Sequence, residues 1–295
     1  MGKDLADQFP AARARFEEAD RILHHPISGI IWEGPAETLT RTEFCQPALY
    51  VASLAALAAL ESTLGQKGLT LKPAAAAGLS LGEYTALAAA GAISYEDGLR
   101  LVQLRGQAME EAARQLPGTM ASVLGLDLEV LEPICIEAGA QVANINAPGQ
   151  IVISGSPQAV EAASGKAREK GAKRVVPLEV AGAFHSRLME PATTRLRKAV
   201  ETVPIHPPGC PVLSNVTGSF HAQPDSIRTK LVDQLTHPVR WEACVRTMIG
   251  KGIQAFLEVG PGNVLKGLLR KIAPEVQLFS AGTADQIREL AAQWA

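Results

Sequence analysis

The sequence predicts an α/β fold, in which a mostly parallel sheet has helices on both faces and a smaller α+β subdomain is inserted. Short apolar strands alternate with helical segments along most of the chain, as they do in parallel sheets. Within 117–182 the order changes to β-α-β-β-α-β, the signature of a ferredoxin-like subdomain. We therefore expect a small subdomain at 117–182 and a large domain made of 1–116 and 183–295.

The elements of the large domain follow from local signals. Residues 1–24 are predicted to form one amphipathic helix, because apolar residues recur at spacings of three and four among charges. After a loop that contains proline and glycine, Pro47 is expected to open an alanine-rich core helix that ends near Gly65. Ser94 has the pattern of an N-cap and leads a helix to about Gln115. Further strands are predicted at 71–77, 210–215, 255–259 and 276–280.

The composition limits the classes of function. Apolar residues make up 47% of the 295 positions, enough for a sizeable core, and a net charge of −2 gives no electrostatic support for binding nucleic acid or an anionic membrane. The four cysteines lie far apart, so neither a metal site nor a disulfide framework is predicted. The N-terminus lacks the apolar core of a signal peptide, and the 13-residue apolar run at 48–60 is too short to span a bilayer. We expect a cytoplasmic protein.

The segment Gly78-Leu79-Ser80-Leu81-Gly82 stands between a short apolar run and a helical segment. A G-x-S-x-G pattern between a strand and a helix is typical of the nucleophile elbow of hydrolase-like α/β folds. The glycines permit a tight turn, and the N–H groups at the helix start can receive an oxyanion. The alternative is that Ser80 is only a helix N-cap.

A serine nucleophile needs a base, and one histidine is well placed to supply it. His185 follows the predicted strand that leaves the small subdomain and enters the large domain, where clefts tend to form. The alternative is a structural histidine. Arg105 lies on or near the apolar side of its predicted helix, where a charge is costly to bury unless it is paired. Its alternative is a side chain whose charged end reaches the surface.

Together these residues resemble the malonyl-CoA:acyl carrier protein transacylase family of fatty acid synthesis and its polyketide synthase relatives. The matching segments occur in the order of that family and spread over nearly the whole chain. They are Gly78-Leu79-Ser80-Leu81-Gly82-Glu83-Tyr84, Arg105-Gly106, Asn146-Ala147-Pro148-Gly149-Gln150, Gly182-Ala183-Phe184-His185-Ser186, Gln234-Leu235-Thr236-His237-Pro238-Val239-Arg240-Trp241 and Glu258-Val259-Gly260-Pro261-Gly262.

The resemblance implies four catalytic roles. Ser80 would be the acylated nucleophile and His185 the general base. The side chain or the backbone carbonyl of Gln234 would hold the imidazole, the task of an aspartate in a Ser-His-Asp triad. The N–H group of Leu81 would be an oxyanion donor.

The resemblance also implies four residues that bind substrate. Arg105 would bind the free malonyl carboxylate, since a guanidinium matches a carboxylate with two hydrogen bonds. Phe184 would crowd an α-methyl branch, although one methyl group is worth only about 1–3 kcal/mol. Leu79 replaces the histidine usual before the nucleophile and would reshape the pocket wall. Asn146 belongs to a matching segment and is assigned to the substrate site.

In one respect the chain departs from this family. Family members begin with an apolar strand that ends in Phe-Pro-Gly-Gln-Gly, and the backbone of that glutamine helps to form the oxyanion hole. The present sequence opens in the helix that normally follows, so we expect either a true start upstream of Met1 or a weakened or specialised protein. The resemblance therefore leaves the Leu81 N–H as the one evident oxyanion donor and implies two exposed strand edges.

The implied reaction is a ping-pong transfer of malonyl from malonyl-CoA to the phosphopantetheine thiol of acyl carrier protein. It needs no cofactor, since the coenzyme A thioester is a substrate, and we expect a monomer with no metal, nucleic acid or membrane. The alternatives are a serine thioesterase or acyl hydrolase of the same fold, and a catalytically impaired relative that binds carrier protein. Basic residues either form the docking rim for an acidic carrier or are an ordinary solvated face; they are Lys166, Arg168, Lys170, Lys173, Arg174 and Arg187.

Overall fold

A computed structural model describes residues 1–295. The helices are α1 (Lys3–Gln8), α2 (Pro10–Leu23), α3 (Ile27–Glu33), α4 (Ala36–Thr40), α5 (Thr42–Gly65), α6 (Leu81–Ala89), α7 (Tyr95–Gln115), α8 (Leu128–Ala138), α9 (Pro157–Glu169), α10 (Glu190–Thr202), α11 (Pro224–Asp233), α12 (Trp241–Gly250), α13 (Val264–Ile272) and α14 (Ala284–Gln293). The strands are β1 (Thr119–Leu124), β2 (Gln141–Ala147), β3 (Gln150–Gly155), β4 (Arg174–Pro177), β5 (Ala255–Val259) and β6 (Gln277–Ala281).

Helix α5 is the centre of the large domain. Its apolar residues occur all round the helix, and it packs against α2, α6, α7 and α14. It is the one helix long and apolar enough to cross a membrane by length and composition, and 56% of that apolar window is buried inside the protein. Glycines bring α7 close to α5, since a Cβ atom on Gly106 would lie 2.6 Å from the Thr42 carbonyl oxygen. This close approach places Arg105 of α7 against α5.

The inserted segment forms an antiparallel sheet in the order β2-β3-β1-β4. Helices α8 and α9 pack on each other and against its strands, around a separate apolar cluster. The chain order is the β-α-β-β-α-β connectivity that the sequence predicts. The exact domain boundaries at 117 and 182 stay a prediction.

The predicted α/β class is confirmed, but the parallel sheet of the large domain is shorter than expected. Strands β5 and β6 pair in parallel, whereas the predicted strands at 71–77 and 210–215 meet only in a parallel bridge between Ala76 and Val212. The Ala76 N–H donates to the Pro211 carbonyl, and the Ala76 carbonyl accepts from the Leu213 N–H. The peptide groups of Ala75 and Ala77 have no backbone partner. The segment at 71–77 is therefore held to its neighbour at one residue and forms no continuous ladder.

The edge of β5 that faces away from β6 is also unpaired. At the two ends of its pairing with β6, the Gln277 N–H donates to Gln254 and the Gly260 N–H donates to Ala281. Because peptide groups alternate in direction along a strand, those of residues 255, 257 and 259 point away from β6, and no strand lies there. The structure thus has the two exposed strand edges that the family resemblance implies.

Three helix predictions are wrong in detail, and proline accounts for two of them. Residues 1–24 form two helices because Phe9, which precedes Pro10, is held in an extended conformation. Helix α5 begins at Thr42 and contains Pro47, which costs only one hydrogen bond near the helix start. The predicted loop before it contains the short helices α3 and α4.

Candidate active site

Ser80 occupies a strained turn between the strand at 71–77 and helix α6. Its φ of 53° and ψ of −105° lie in a region that residues with a Cβ atom rarely adopt. A Cβ atom on Gly78 would overlap the backbone of Gly82, so the turn requires glycine at position 78. The segment therefore has the local geometry of a nucleophile elbow.

Asn215 holds this elbow in shape. Its Oδ1 atom accepts a hydrogen bond of 2.6 Å from the Ser80 N–H, and its Nδ2 atom donates to the Gly78 carbonyl at 2.9 Å. One buried side chain thus satisfies two backbone groups of the turn that no regular secondary structure pairs. Sequence reasoning did not assign a role to Asn215. Its position is nevertheless informative, because Asn215 is a polar residue at the carboxyl end of the predicted strand at 210–215.

The Ser80 hydroxyl lies next to the imidazole of His185. The Oγ and Nε2 atoms are 2.8 Å apart, and the Nδ1 atom of His185 lies 2.7 Å from the backbone carbonyl of Gln234. A carbonyl only accepts, so Nδ1 carries the proton and Nε2 is free to accept the serine proton. The imidazole is held by the backbone carbonyl of Gln234, which was one of the two groups considered from the sequence.

The environment of His185 keeps its ring neutral. The residue is 4% exposed, and its φ of 58° is held by a bond from the Ser186 hydroxyl to the Ala183 carbonyl. Burial, followed by the positive charge of Arg105, lowers the pKa of His185 to about 4, against the opposing effect of the bond to Gln234. At neutral pH the group is therefore an unprotonated base.

Arg105 is buried without an acidic partner. Its Nη1 atom donates to Oε1 of Gln46 at 2.6 Å, and its Nη2 atom donates to Ser80 Oγ at 3.0 Å and to Oε1 of Gln234 at 2.8 Å. It makes no salt bridge, its Nε atom has no partner, and its guanidinium lies 5.3 Å from the centre of the Tyr84 ring. Burial lowers the pKa of Arg105. A buried cation bonded only to neutral oxygens is prepared to receive an anion.

Of the remaining predicted residues, Leu79, Leu81 and Phe184 are chain neighbours of Ser80 or His185, and Asn146 lies near the end of β2. The Leu81 N–H, at the start of α6, has no protein acceptor, and the Oδ1 atom of Asn146 is buried and unpaired. Phe184 packs against the main apolar core of the large domain and against a small apolar cluster on the inserted sheet. Leu79 packs against a separate apolar cluster that contains Trp241. Their roles toward a substrate stay predictions.

The predictions missed Gln46 as a partner of Arg105, and Glu83 as the buried carboxylate beside Gln234. Gln46 is a polar residue at the start of an otherwise apolar helix, and Glu83 directly follows the elbow motif, so both carried a weak signal in the sequence. What they contact depends on tertiary packing.

An elbow serine, a neutral histidine that accepts its proton and a nearby buried cation define an enzyme that forms an acyl-serine. The family described as acyl transferase domain matches residues 1–294. The chain belongs to this family of acyltransferases.

Named relatives agree with this assignment over nearly the full length. The malonyl CoA-acyl carrier protein transacylase of Bacillus subtilis is 44% identical over 298 residues, which cover 99% of this chain and 92% of the relative. The crystal structure of the acyl-carrier-protein S-malonyltransferase of Bartonella henselae matches with a TM-score of 0.93 and 42% identity, covering 99% of this chain and 94% of that one. A malonyl-transacylase in complex with its type II polyketide synthase acyl-carrier protein matches with a TM-score of 0.93 and 36% identity, covering 99% and 94%.

Proposed function

We propose that this protein transfers malonyl from malonyl-CoA to the phosphopantetheine thiol of acyl carrier protein, through a malonyl ester on Ser80. The observation that carries the proposal is the position of Arg105, whose Nη2 atom lies 3.0 Å from the nucleophilic oxygen and which has no acidic partner. Malonyl carries a carboxylate one methylene group away from the reacting carbonyl. The guanidinium can pair with that carboxylate while Ser80 attacks the carbonyl.

In the first half-reaction, Ser80 Oγ forms a bond to the thioester carbonyl carbon and its proton moves to Nε2 of His185. The negative oxygen of the tetrahedral intermediate is stabilised by the free N–H of Leu81 at the start of α6. When the C–S bond breaks, the imidazolium returns the proton to the sulfur of coenzyme A. The product is malonyl-Ser80 with a neutral His185.

In the second half-reaction, the carrier thiol takes the place of coenzyme A. His185 Nε2 accepts the thiol proton as the sulfur attacks the ester carbonyl, and the C–O bond to Ser80 breaks. The proton then returns from His185 to Ser80 Oγ, which restores the free enzyme. The two half-reactions use the same base, the same oxyanion donor and the same carboxylate site, so neither requires a cofactor.

Malonyl also strengthens the base. The charge of Arg105 is one of the causes that lower the pKa of His185. When the malonyl carboxylate pairs with Arg105, that charge is neutralised and the imidazolium is less strongly disfavoured. An acetyl group leaves Arg105 uncompensated, so it forfeits both the ion pair and this effect.

Four further features belong to the proposal. The ring of Phe184, the residue before His185, is assigned to limit substituents on the α-carbon of the acyl group, and the unpaired Oδ1 atom of Asn146 is assigned to a donor on the substrate. Leu79 supports the elbow from the core side. The four cysteines are free thiols, which fits a reducing cytoplasm, and we assign the protein there as a monomer.

The test is the intact mass of the protein after mixing with malonyl-CoA, followed by addition of phosphopantetheinylated carrier protein. We expect one malonyl group on the wild type, none on Ser80→Ala, and its passage to the carrier. A malonyl adduct lost only to water would identify an acyl hydrolase, and the absence of any adduct on the wild type would contradict the proposal.

A further inference from the structure

A buried carboxylate lies behind the catalytic residues and takes no part in the reaction described above. Glu83, in the first turn of α6, is 0% exposed. Its Oε2 atom accepts from the Asn215 N–H at 3.0 Å and from Nε2 of Gln234 at 2.6 Å, and its Oε1 atom accepts from Nε2 of His221 at 2.8 Å. Burying a carboxylate costs desolvation free energy even when three donors satisfy it, which suggests that this carboxylate has a role beyond packing.

Two of these three donors belong to the residues that hold the elbow. Asn215 bonds the Gly78 carbonyl and the Ser80 N–H, and Nε2 of Gln234 donates to the Ser80 carbonyl at 3.1 Å. Glu83 also donates its own N–H to the Ser80 carbonyl. The Gly78 carbonyl and both backbone groups of Ser80 are therefore bonded either by Glu83 or by a residue that Glu83 bonds.

The carboxylate also fixes which way the Gln234 amide faces. A carboxylate can only accept, so it selects the NH₂ group of Gln234. The amide oxygen must then face the opposite side, where it accepts from Nη2 of Arg105. If the amide turned over, its NH₂ group would meet the guanidinium, donor against donor, and Arg105 would lose one of its three oxygen partners.

His221 holds the carboxylate from the other side. Its side chain is 1% exposed, its Nε2 donates to Glu83, and its backbone N–H donates to the Val212 carbonyl. The Nδ1 atom has no partner, so the imidazole makes no bond except the one to Glu83. This geometry gives the ring one function, which is to fix Oε1 of Glu83.

We propose that Glu83, held by His221, is the positioning residue that aligns Arg105 with the acyl carboxylate by fixing the orientation of the Gln234 amide. The inference rests on the proposed function, since it explains how the malonyl site is kept in register. It makes Glu83 and His221 determinants of malonyl selectivity although neither contacts the acyl group.

The test compares acylation of Ser80 by malonyl-CoA and by acetyl-CoA in Glu83→Gln, with Glu132→Gln on the exposed face of α8 as the matched control. An amide at position 83 no longer selects the NH₂ group of Gln234, which leaves only the Ser80 carbonyl and Arg105 to hold that amide. We expect both rates to fall, and the malonyl rate to fall about tenfold more, because only malonyl depends on hydrogen bonds to the aligned guanidinium. A damaged elbow alone would lower both rates by the same factor, so an unchanged malonyl-to-acetyl ratio would overturn the proposal.

A second pair of variants keeps the proposal open to refutation should Glu83→Gln fail to fold. His221→Leu removes the donor to Oε1 and should lower the malonyl-to-acetyl ratio by about threefold or more, while His221→Gln restores an N–H donor and should recover the ratio. Equal ratios in His221→Leu, His221→Gln and wild type would contradict it. Failure of the proposed function is seen separately, as the absence of a malonyl adduct on the wild type.

Discussion

Ser80 Oγ lies 3.0 Å from Nη2 of Arg105 and 2.8 Å from Nε2 of His185. The hydroxyl therefore accepts from the arginine while it donates to the base. A carboxylate that binds Arg105 takes over bonds of the guanidinium and leaves the serine oxygen with the base alone. In the proposed mechanism, recognition of the charged acyl group and activation of the nucleophile therefore meet at one oxygen atom.

Replacement of Arg105 should abolish the preference for malonyl. We expect Arg105→Ala to lower kcat/KM for malonyl-CoA about 100-fold or more, because two charge-assisted hydrogen bonds of about 1.5–3 kcal/mol each are lost. Arg105→Lys should recover little, since an ammonium cannot bond a carboxylate in the same planar fashion. Acylation kinetics with malonyl-CoA and acetyl-CoA measure the effect, with Arg100→Ala on the exposed face of α7 as the control. A malonyl rate that survived in Arg105→Ala would refute the assigned role.

The low pKa of His185 predicts activity far into the acid range. Because burial and Arg105 hold the pKa near 4, the imidazole stays an unprotonated base above that pH and loses function as the pH falls through it. A neutral fluorophosphonate that labels Ser80 avoids titration of the substrate, and its labelling rate should be half-maximal near pH 4.

A neutral residue at position 105 tests the cause of that shift. Arg105→Gln removes the nearby positive charge, so the midpoint of labelling should move to higher pH but stay below the ordinary histidine value, since burial remains. A midpoint at the ordinary value in the wild type, or one that Arg105→Gln does not move, would show that the electrostatic account is wrong.

The two glycines of the elbow motif should differ sharply in their tolerance of alanine. A Cβ atom on Gly78 meets the backbone of Gly82, so Gly78→Ala should lower the free energy of unfolding by about 2 kcal/mol or more and abolish acylation. A Cβ atom on Gly82 meets nothing within 4 Å. Gly82→Ala should therefore stay within about 1 kcal/mol of wild type, since alanine is the better helix former. Urea titration measures both, and equal losses would argue against the turn geometry.

The sequence predicts the residues that react better than the residues that hold them. Ser80, His185 and Arg105 stand out because a strained turn, a strand end and a charge on an apolar helix face are unusual in themselves. Asn215 and Glu83 do not stand out, since each is a polar residue in an ordinary place. They meet only because distant segments pack together, which local pattern does not encode.

The parallel sheet shows a related limit. The apolar pattern at 71–77 predicts a strand, yet only Ala76 forms a bridge, to Val212. Local propensity is a property of the segment, and pairing is a property of what lies beside it. The inserted antiparallel sheet matches its prediction because its four strands are close in sequence and pair with one another.

Basic residues on the small subdomain, together with Arg187 just beyond it, should act in the second half-reaction only. Arg168, Lys170, Lys173 and Arg174 are exposed, and Arg187 lies two residues after the base, with its guanidinium bonded to the Gly139 carbonyl. Lys166 differs, since it pairs with Glu137. Charges on the rim of an interface mainly raise the association rate. Arg187→Glu and Arg174→Glu should therefore slow transfer from malonyl-Ser80 to an acidic carrier protein by about tenfold at low salt.

The two half-reactions separate docking from chemistry. Acylation by malonyl-CoA, followed by intact mass, should be affected far less in both charge-reversal variants, because no carrier protein takes part in that step. The defect in transfer should shrink as ionic strength rises, since salt screens exposed charges. Lys67→Glu, on an exposed turn after α5, is the matched control. If it slowed transfer as much as Arg187→Glu, the effect would come from net charge, and the small subdomain would not be the docking face.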